Sequence, residues 1–205
     1  KWYAEVLVKA LNSTNAAIGV SPASEITENW YSNSDGVTYY DSGQKYIAAG
    51  TASSYGASYT EGDIIGIAVN VDDEEVTFYK NNASQGAISS ENAAGFFFDA
   101  GNDSTGASIT VIWNFGADST FSGEKARQGN ADGGGKGDFY YSPPSGFIAL
   151  CAANLSDSAI GPNASSQADD YFEPLTYTGS GSSQGVTGLS FSPDWVWIKN
   201  RGRAG

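Results

Sequence analysis

The sequence predicts an all-β protein, and three observations lead there. Short runs of alternating apolar and polar residues recur along the chain, the period of a strand with two unlike faces. Turn-forming residues separate them, above all 26 glycines in 205 residues. Charged residues make up only 16%, and no window sustains a helical period, while 12 tyrosines, 10 phenylalanines and 5 tryptophans supply the bulky groups that suit a pleated core.

The elements follow in order. "KWYAEVLV" (1–8) places Trp2, Ala4, Val6 and Val8 on one face and Tyr3, Glu5 and Leu7 on the other, a strand with one face more deeply buried. "AAIGV" (16–20) is short and stopped by "SPAS". "GVTYYDSG" (36–43) and "QKYIAAG" (44–50) form a pair around a Ser–Gly turn. In "IIGIAVNV" (64–71) Ile65, Ile67, Val69 and Val71 share one face, with Ile64 and Ala68 on the other. Apolar residues on both faces mark a central strand covered on both sides. The acidic turn "DDEE" must be solvated, "EEVTFYK" returns as a strand, and "NN" (81–82) tolerates the left-handed backbone of a tight turn. "GFFFDAG" and "ASITVIWNFG" give two further strands. Residues 117–146 make a long glycine-rich loop, read as mobile at "NADGGGKGD", before "FIALCAANL" resumes the apolar pattern. After Leu155 a polar linker leads to "YFEPLTYTGSGSSQGVTGLSFSPDWVWIKN", two or three strands of a second, incomplete unit. The predicted boundaries are 1–155 and 156–205.

Composition excludes several functions. The net charge is −13 and no basic cluster exceeds "KNRGR" (199–203), so nucleic acid and anionic membrane surfaces are poor partners. No run approaches the ~18 apolar residues of a membrane span, so no membrane insertion is expected. Histidine is absent, which removes the usual general base and the commonest zinc ligand. The single cysteine, Cys151, lies in an apolar run and reads as a small packing residue. Methionine is also absent, so Lys1 is not a natural start and the chain reads as a segment of a longer polypeptide.

"YTEGDIIGIAVNVDDEEVTFYKNNASQG" (59–86) resembles the core signature of the SPRY domain, where a Gly–Asp precedes a buried strand, an acidic turn follows, and an aromatic strand ends in Lys–Asn. "KWYAEVLV" with "AAIGV" resembles that family's opening strands, and "ITVIWNFG" a later one. "DFYYSPPSGFIALCAANL" is similar to the closing segment of SPRY domains in bacteriophage structural proteins. "GLSFSPDWVWIKNRGRAG" resembles the start of a second, lectin-like β domain that follows SPRY there. The resemblance implies a bent antiparallel β-sandwich related to the concanavalin-like jelly roll. It also implies a phage virion component, a tail fibre, spike or capsid appendage on the particle surface, acting as scaffold or host-attachment module. The expected partners are other virion proteins, further copies of the chain, and a host-surface glycan or protein. No enzymatic activity and no cofactor are expected. The alternative is a carbohydrate-binding module of a bacterial secreted or surface protein.

Candidate ligand-binding residues are the aromatics of polar segments, Trp30 and Tyr31 in "TENWYSNSDG" and Tyr55 and Tyr59 in "SSYGASYTEG". Such rings stack on sugars or fill peptide pockets, and equally anchor loops onto a sandwich. Asp99, Asn102 and Asp103 in "DAGNDSTG" supply oxygen ligands of the kind calcium takes. Their spacing misses the D-x-D-x-D-G pattern, and no metal is expected. Carboxylates are plentiful but cluster in turns, with nothing tying two across a cleft as glycoside hydrolysis requires.

Overall fold

A computed structural model of the chain describes residues 1–12, 15–22, 36–47, 50–89, 96–102, 108–155, 171–200 and 202. The strands in chain order are β1 (Trp2–Leu11), β2 (Ala16–Pro22), β3 (Val37–Tyr40), β4 (Gln44–Ile47), β5 (Ser53–Ser54), β6 (Ile64–Asn70), β7 (Glu75–Lys80), β8 (Ala83–Ser89), β9 (Phe96–Asn102), β10 (Ile109–Asn114) and β11 (Ile148–Ala149). Among the described residues, helix is confined to a 3-10 turn at Ala152–Asn154. The chain divides into two units, Lys1–Leu155 and Ser156–Gly205.

The first unit is a sandwich of two antiparallel sheets. One has six strands in the order β10-β1-β6-β7-β8, with β11 pairing parallel to the start of β1. The other has five, in the order β5-β4-β3-β2-β9. The space between them is filled by one alternate set of residues from each strand. Val6, Val8, Ile65, Ile67, Val69, Val76 and Phe78 come from the six-stranded sheet, and Ile18, Val20, Val37 and Tyr39 from the five-stranded one. Burying each such side chain contributes about 1.5–3 kcal/mol, so this layer is the main stabilising element.

The sequence pattern understates the burial of β1. Its second face is covered as fully as its first: Tyr3, Glu5 and Leu7 are all at most 2% exposed. The cover is the long segment after β10. Phe139 and Ala149 pack on Tyr3 and Ala68, and Phe121 packs on Leu7 and Ile64.

Three buried polar side chains fasten that segment down. Glu5 accepts the main-chain N–H groups of Tyr140 (2.8 Å) and Tyr141 (2.7 Å), with the Asn114 amide at 3.3 Å. Asn114 Oδ1 accepts the N–H groups of Gly116, Ala117 and Asp118. Asp132 accepts those of Gly134, Lys136 and Ala149, and the Asn154 amide. The glycine-rich stretch read as mobile is thus cross-braced, because a carboxylate inside it satisfies its own turn and ties that turn to β11.

The turn chemistry is as the residues dictate. Asn81 and Asn82 take φ of 47° and 70° between β7 and β8, the left-handed pair of a tight hairpin. The Asn81 side chain also accepts the Ile64 N–H at 2.9 Å and donates to Asp63 at 2.6 Å.

The second unit is different in kind. No strand is paired between residues 171 and 200, since no partner strand lies beside the alternating pattern among the described residues. Most of its large apolar side chains are exposed, Phe172 at 70% and Trp197 at 76% among them, while Leu189 and Phe191 are partly covered.

Candidate binding surface

Of the four aromatics singled out from sequence, Trp30 and Tyr31 lie outside the described residues. Tyr55 and Tyr59 are placed, and both hold the sandwich together. Tyr59 is 3% exposed; its ring lies 5.1 Å from that of Tyr39, and its hydroxyl reaches the carbonyls of Ala16 (3.0 Å) and Tyr39 (3.1 Å). Burial pushes this phenol well above its ordinary pKa, so it stays a neutral donor.

Tyr55 fills a gap in a ladder. Where β7 pairs with β8 the register shifts between Thr77 and Tyr79, leaving Phe78 opposite the extra residues Gln85 and Gly86. The Tyr55 hydroxyl sits in that bulge, accepting the Phe78 N–H at 3.2 Å and donating to the Gly86 carbonyl at 2.5 Å. Its ring meets Tyr39 and Phe78 edge-on, and Lys45 Nζ lies 5.2 Å above it. Desolvation lifts the Tyr55 phenol to about 12. The rest of the loop is clamped alongside. Gln85 accepts the Ala57 N–H at 2.7 Å, Tyr39 donates to the Ala57 carbonyl, and Lys80 donates to the Ser58 carbonyl at 2.7 Å.

The carboxylates are also occupied by structure. Asp63 accepts from Thr60 N–H and Asn81 and pairs with Lys80 at 3.3 Å, contacts that hold its carboxyl below the usual range against the opposing effect of burial. Asp73 of the acidic turn is held low by the Asn70 amide and Lys1. Asp118 closes its own turn through Thr120 and Ser122. Asp99 behaves otherwise. It lies on β9 opposite Gly19, facing away from the core; Oδ2 accepts the Ser21 hydroxyl at 2.5 Å, and Oδ1 is buried without a partner. Burial lifts its pKa to about 7. Asn102 lies three residues on and so belongs to the opposite face of β9, while Asp103 is outside the described residues. Among the described residues no three metal-ligating side chains converge.

The surface not foreseen is a seam. β9 and β10 are edge strands of different sheets and come together along one side of the sandwich. Their core-facing aromatics are half-buried there because neither edge has a further strand to cover it. Phe96 and Phe98 lie 5.3 Å apart, Phe98 is 5.5 Å from Phe115 and 6.0 Å from Trp113, and Trp113 stacks on Phe115 at 5.5 Å and 8°. "GFFFDAG" and "VIWNFG" display these rings in sequence. What hides the seam is that no local pattern tells which strands will be edges.

With that geometry in view, comparison with known proteins gives a family. A family model described as SPRY domain matches residues 1–105. A second, described as a domain of unknown function (DUF7483), matches residues 167–205. A crystal structure of a human SPRY domain is 22% identical, with a TM-score of 0.44, covering 53% of this chain and 74% of that one. The SPRY domain of human HERC1 is 17% identical, with a TM-score of 0.45, covering 54% and 72%. A comparison with curated proteins finds no match.

Proposed function

The chain belongs to the SPRY domain family, a family of β-sandwich protein-interaction modules, and from that premise we propose that it serves a bacteriophage virion as a scaffold or host-surface binding module. The observation that carries the proposal is the order of its parts. A SPRY sandwich is followed by a segment of a second family, of unknown function, at 167–205, and we read that order through the resemblance of the two segments to a SPRY domain followed by a lectin-like β domain in phage structural proteins. The site geometry supports a binding role over a chemical one. Asp63, Asp73, Asp118 and Asp132 hold turns, Tyr55 and Tyr59 hold strands, and the half-buried rings of the β9–β10 seam are the kind of surface a partner covers.

The test is immunogold labelling of purified particles with an antibody raised against residues 1–205. Labelling confined to an appendage supports the assignment, and unlabelled particles that contain the polypeptide by mass spectrometry refute surface display. A glycan array with the same protein separates the attachment role from pure scaffolding. Strong, selective binding in a chain that labels no particle moves the assignment to a bacterial carbohydrate-binding module.

A further inference from the structure

β9 is a lightly secured strand of the sandwich. It ends the five-stranded sheet, and its ladder runs to β2 alone, Phe96–Asn102 against Ala16–Pro22. None of its seven residues is fully buried, whereas Ile18 and Val20 beside it are 0% and 4% exposed. Phe96 and Phe98 turn inward and join Trp113 and Phe115 in the seam, so β9 forms one wall of that aromatic surface. Asp99 turns outward, opposite Gly19. A strand with little burial and one paired edge opens locally at lower cost than the whole molecule.

A carboxyl fastens the outward face. Ser21 of β2 donates its hydroxyl to Asp99 Oδ2 at 2.5 Å, a side-chain bridge across the ladder, and Oδ1 is buried without a partner. A neutral acid in that place leaves one oxygen short of a hydrogen bond. An ionised one leaves a buried negative charge with a single hydroxyl to hold it, which is far costlier. No base is at hand. On the same face β2 adds Ala17 and Gly19, β3 Thr38 and Tyr40, and β4 Tyr46, while β10 across the seam carries no charged residue. Lys45 of β4 sits over the Tyr55 ring on the core side, and Asp41, just after β3, accepts the Asn15 N–H. Among the described residues the anion therefore has no counter-ion, in keeping with a pKa that burial lifts to about 7 against the pull of Ser21. Water can reach an ionised Asp99 once β9 leaves β2.

We propose that Asp99 is a proton-operated latch on β9: while protonated it keeps the strand on β2, and when ionised it lets the strand come away and bares the seam rings to a partner. The use of the latch rests on the seam being a partner surface; the release of β9 does not, and the experiment reads the release alone. In released β9 the carboxyl returns to water and to its ordinary value near 3.9. With about 7 in the closed strand, the released fraction is expected to grow roughly 80-fold between about pH 5 and about pH 8. Hydrogen exchange of the 205-residue protein, followed by mass spectrometry and corrected for the intrinsic pH dependence of exchange, compares peptides covering β9 with peptides covering β6, in the parent and in Asp99→Asn. Protection of β9 in the parent is expected to fall by that factor as pH rises, and to lie below that of β6 throughout. It should also be insensitive to dilute urea, the sign of an opening smaller than unfolding. In Asp99→Asn it should stay flat with pH. The proposal is overturned if β9 protection ignores pH, follows pH equally in the variant, or matches that of β6 at every pH and urea concentration. The first and last of these outcomes need only the parent, so a variant that fails to fold does not shelter the proposal.

Discussion

Asp99 gives the most direct test of how the five-stranded sheet is built. Its carboxyl has one oxygen on the Ser21 hydroxyl and the other buried without a partner, and burial lifts its pKa to about 7. In the unfolded chain the same group ionises near 3.9. From about pH 4 to about pH 7 the folded protein thus keeps a proton that the unfolded chain has released, so stability falls as pH rises through that window. It is full below the unfolded value and lost above the folded one. A shift of roughly 3 units at 1.36 kcal/mol each corresponds to about 4 kcal/mol. The perturbation is Asp99→Asn, which keeps the shape and has no proton to lose. Urea unfolding followed by far-UV circular dichroism, at fixed ionic strength and several pH values, gives ΔG for both proteins. Groups common to both cancel in the difference, and so does any constant cost of the amide. The variant-minus-parent difference is expected to grow by about 4 kcal/mol between about pH 4 and about pH 8. A difference flat to within about 1 kcal/mol would show that Asp99 is ionised in the folded protein at neutral pH, refuting the argument from burial.

Three further substitutions bear on the polar fasteners and the close contacts. Tyr55→Phe leaves the Phe78 N–H and the Gly86 carbonyl unbridged across the β7–β8 bulge, and is expected to cost about 1–3 kcal/mol by chemical denaturation. If Tyr55 instead served only a ligand, stability would be unchanged and binding lost. Glu5→Gln replaces an oxygen that faces a main-chain N–H with an amide nitrogen. It should cost about 2–3 kcal/mol and speed proteolytic cleavage within residues 117–146, the segment Glu5 ties to the sheet. Gly66→Ala would set a methyl 2.6 Å from the hydroxyl of Tyr3, a side chain 1% exposed and wedged against Phe139, so a loss of about 1–3 kcal/mol is expected. Thermal unfolding at neutral pH checks the last of these, and an unchanged midpoint would mean that Tyr3 moves aside freely.

What could be read in advance followed from how much each residue says about its own neighbourhood. The β6–β7 hairpin announced itself because Ile65, Ile67 and Val69 alternate with residues that are also apolar, and because two asparagines end it where a left-handed turn is required. β8 gave no signal: "ASQGAIS" has a single large apolar residue, and the strand exists through main-chain pairing to β7. Glu5 looked like a residue of a shallower face, since a lone carboxylate in a strand usually reaches water. Its burial depends on N–H groups more than 130 residues away, at Tyr140 and Tyr141. The same distance effect hid the structural role of Tyr55. A tyrosine in a serine-rich loop has the composition of a binding residue, and only the bulge at Phe78 gives its hydroxyl a structural task. In the second unit the alternation of "WVWIK" is plain, but a strand also needs a neighbour, and none is present within the described residues.

The position of β1 has a consequence for how the molecule is made. The strand that comes first in the sandwich's chain order lies inside its sheet, flanked by β6 on one side and by β10 and β11 on the other, with residues 139–149 laid over its outer surface. Vectorial synthesis therefore holds an apolar strand exposed until nearly the whole sandwich has emerged, a topology of long-range contacts that folds slowly and late. A recombinant piece cut at residue 105, where the family match stops, would carry β1 without β10, β11 or their cover. The compact unit runs to Leu155, and cotranslational chaperones have the most to shield in the interval before it is complete.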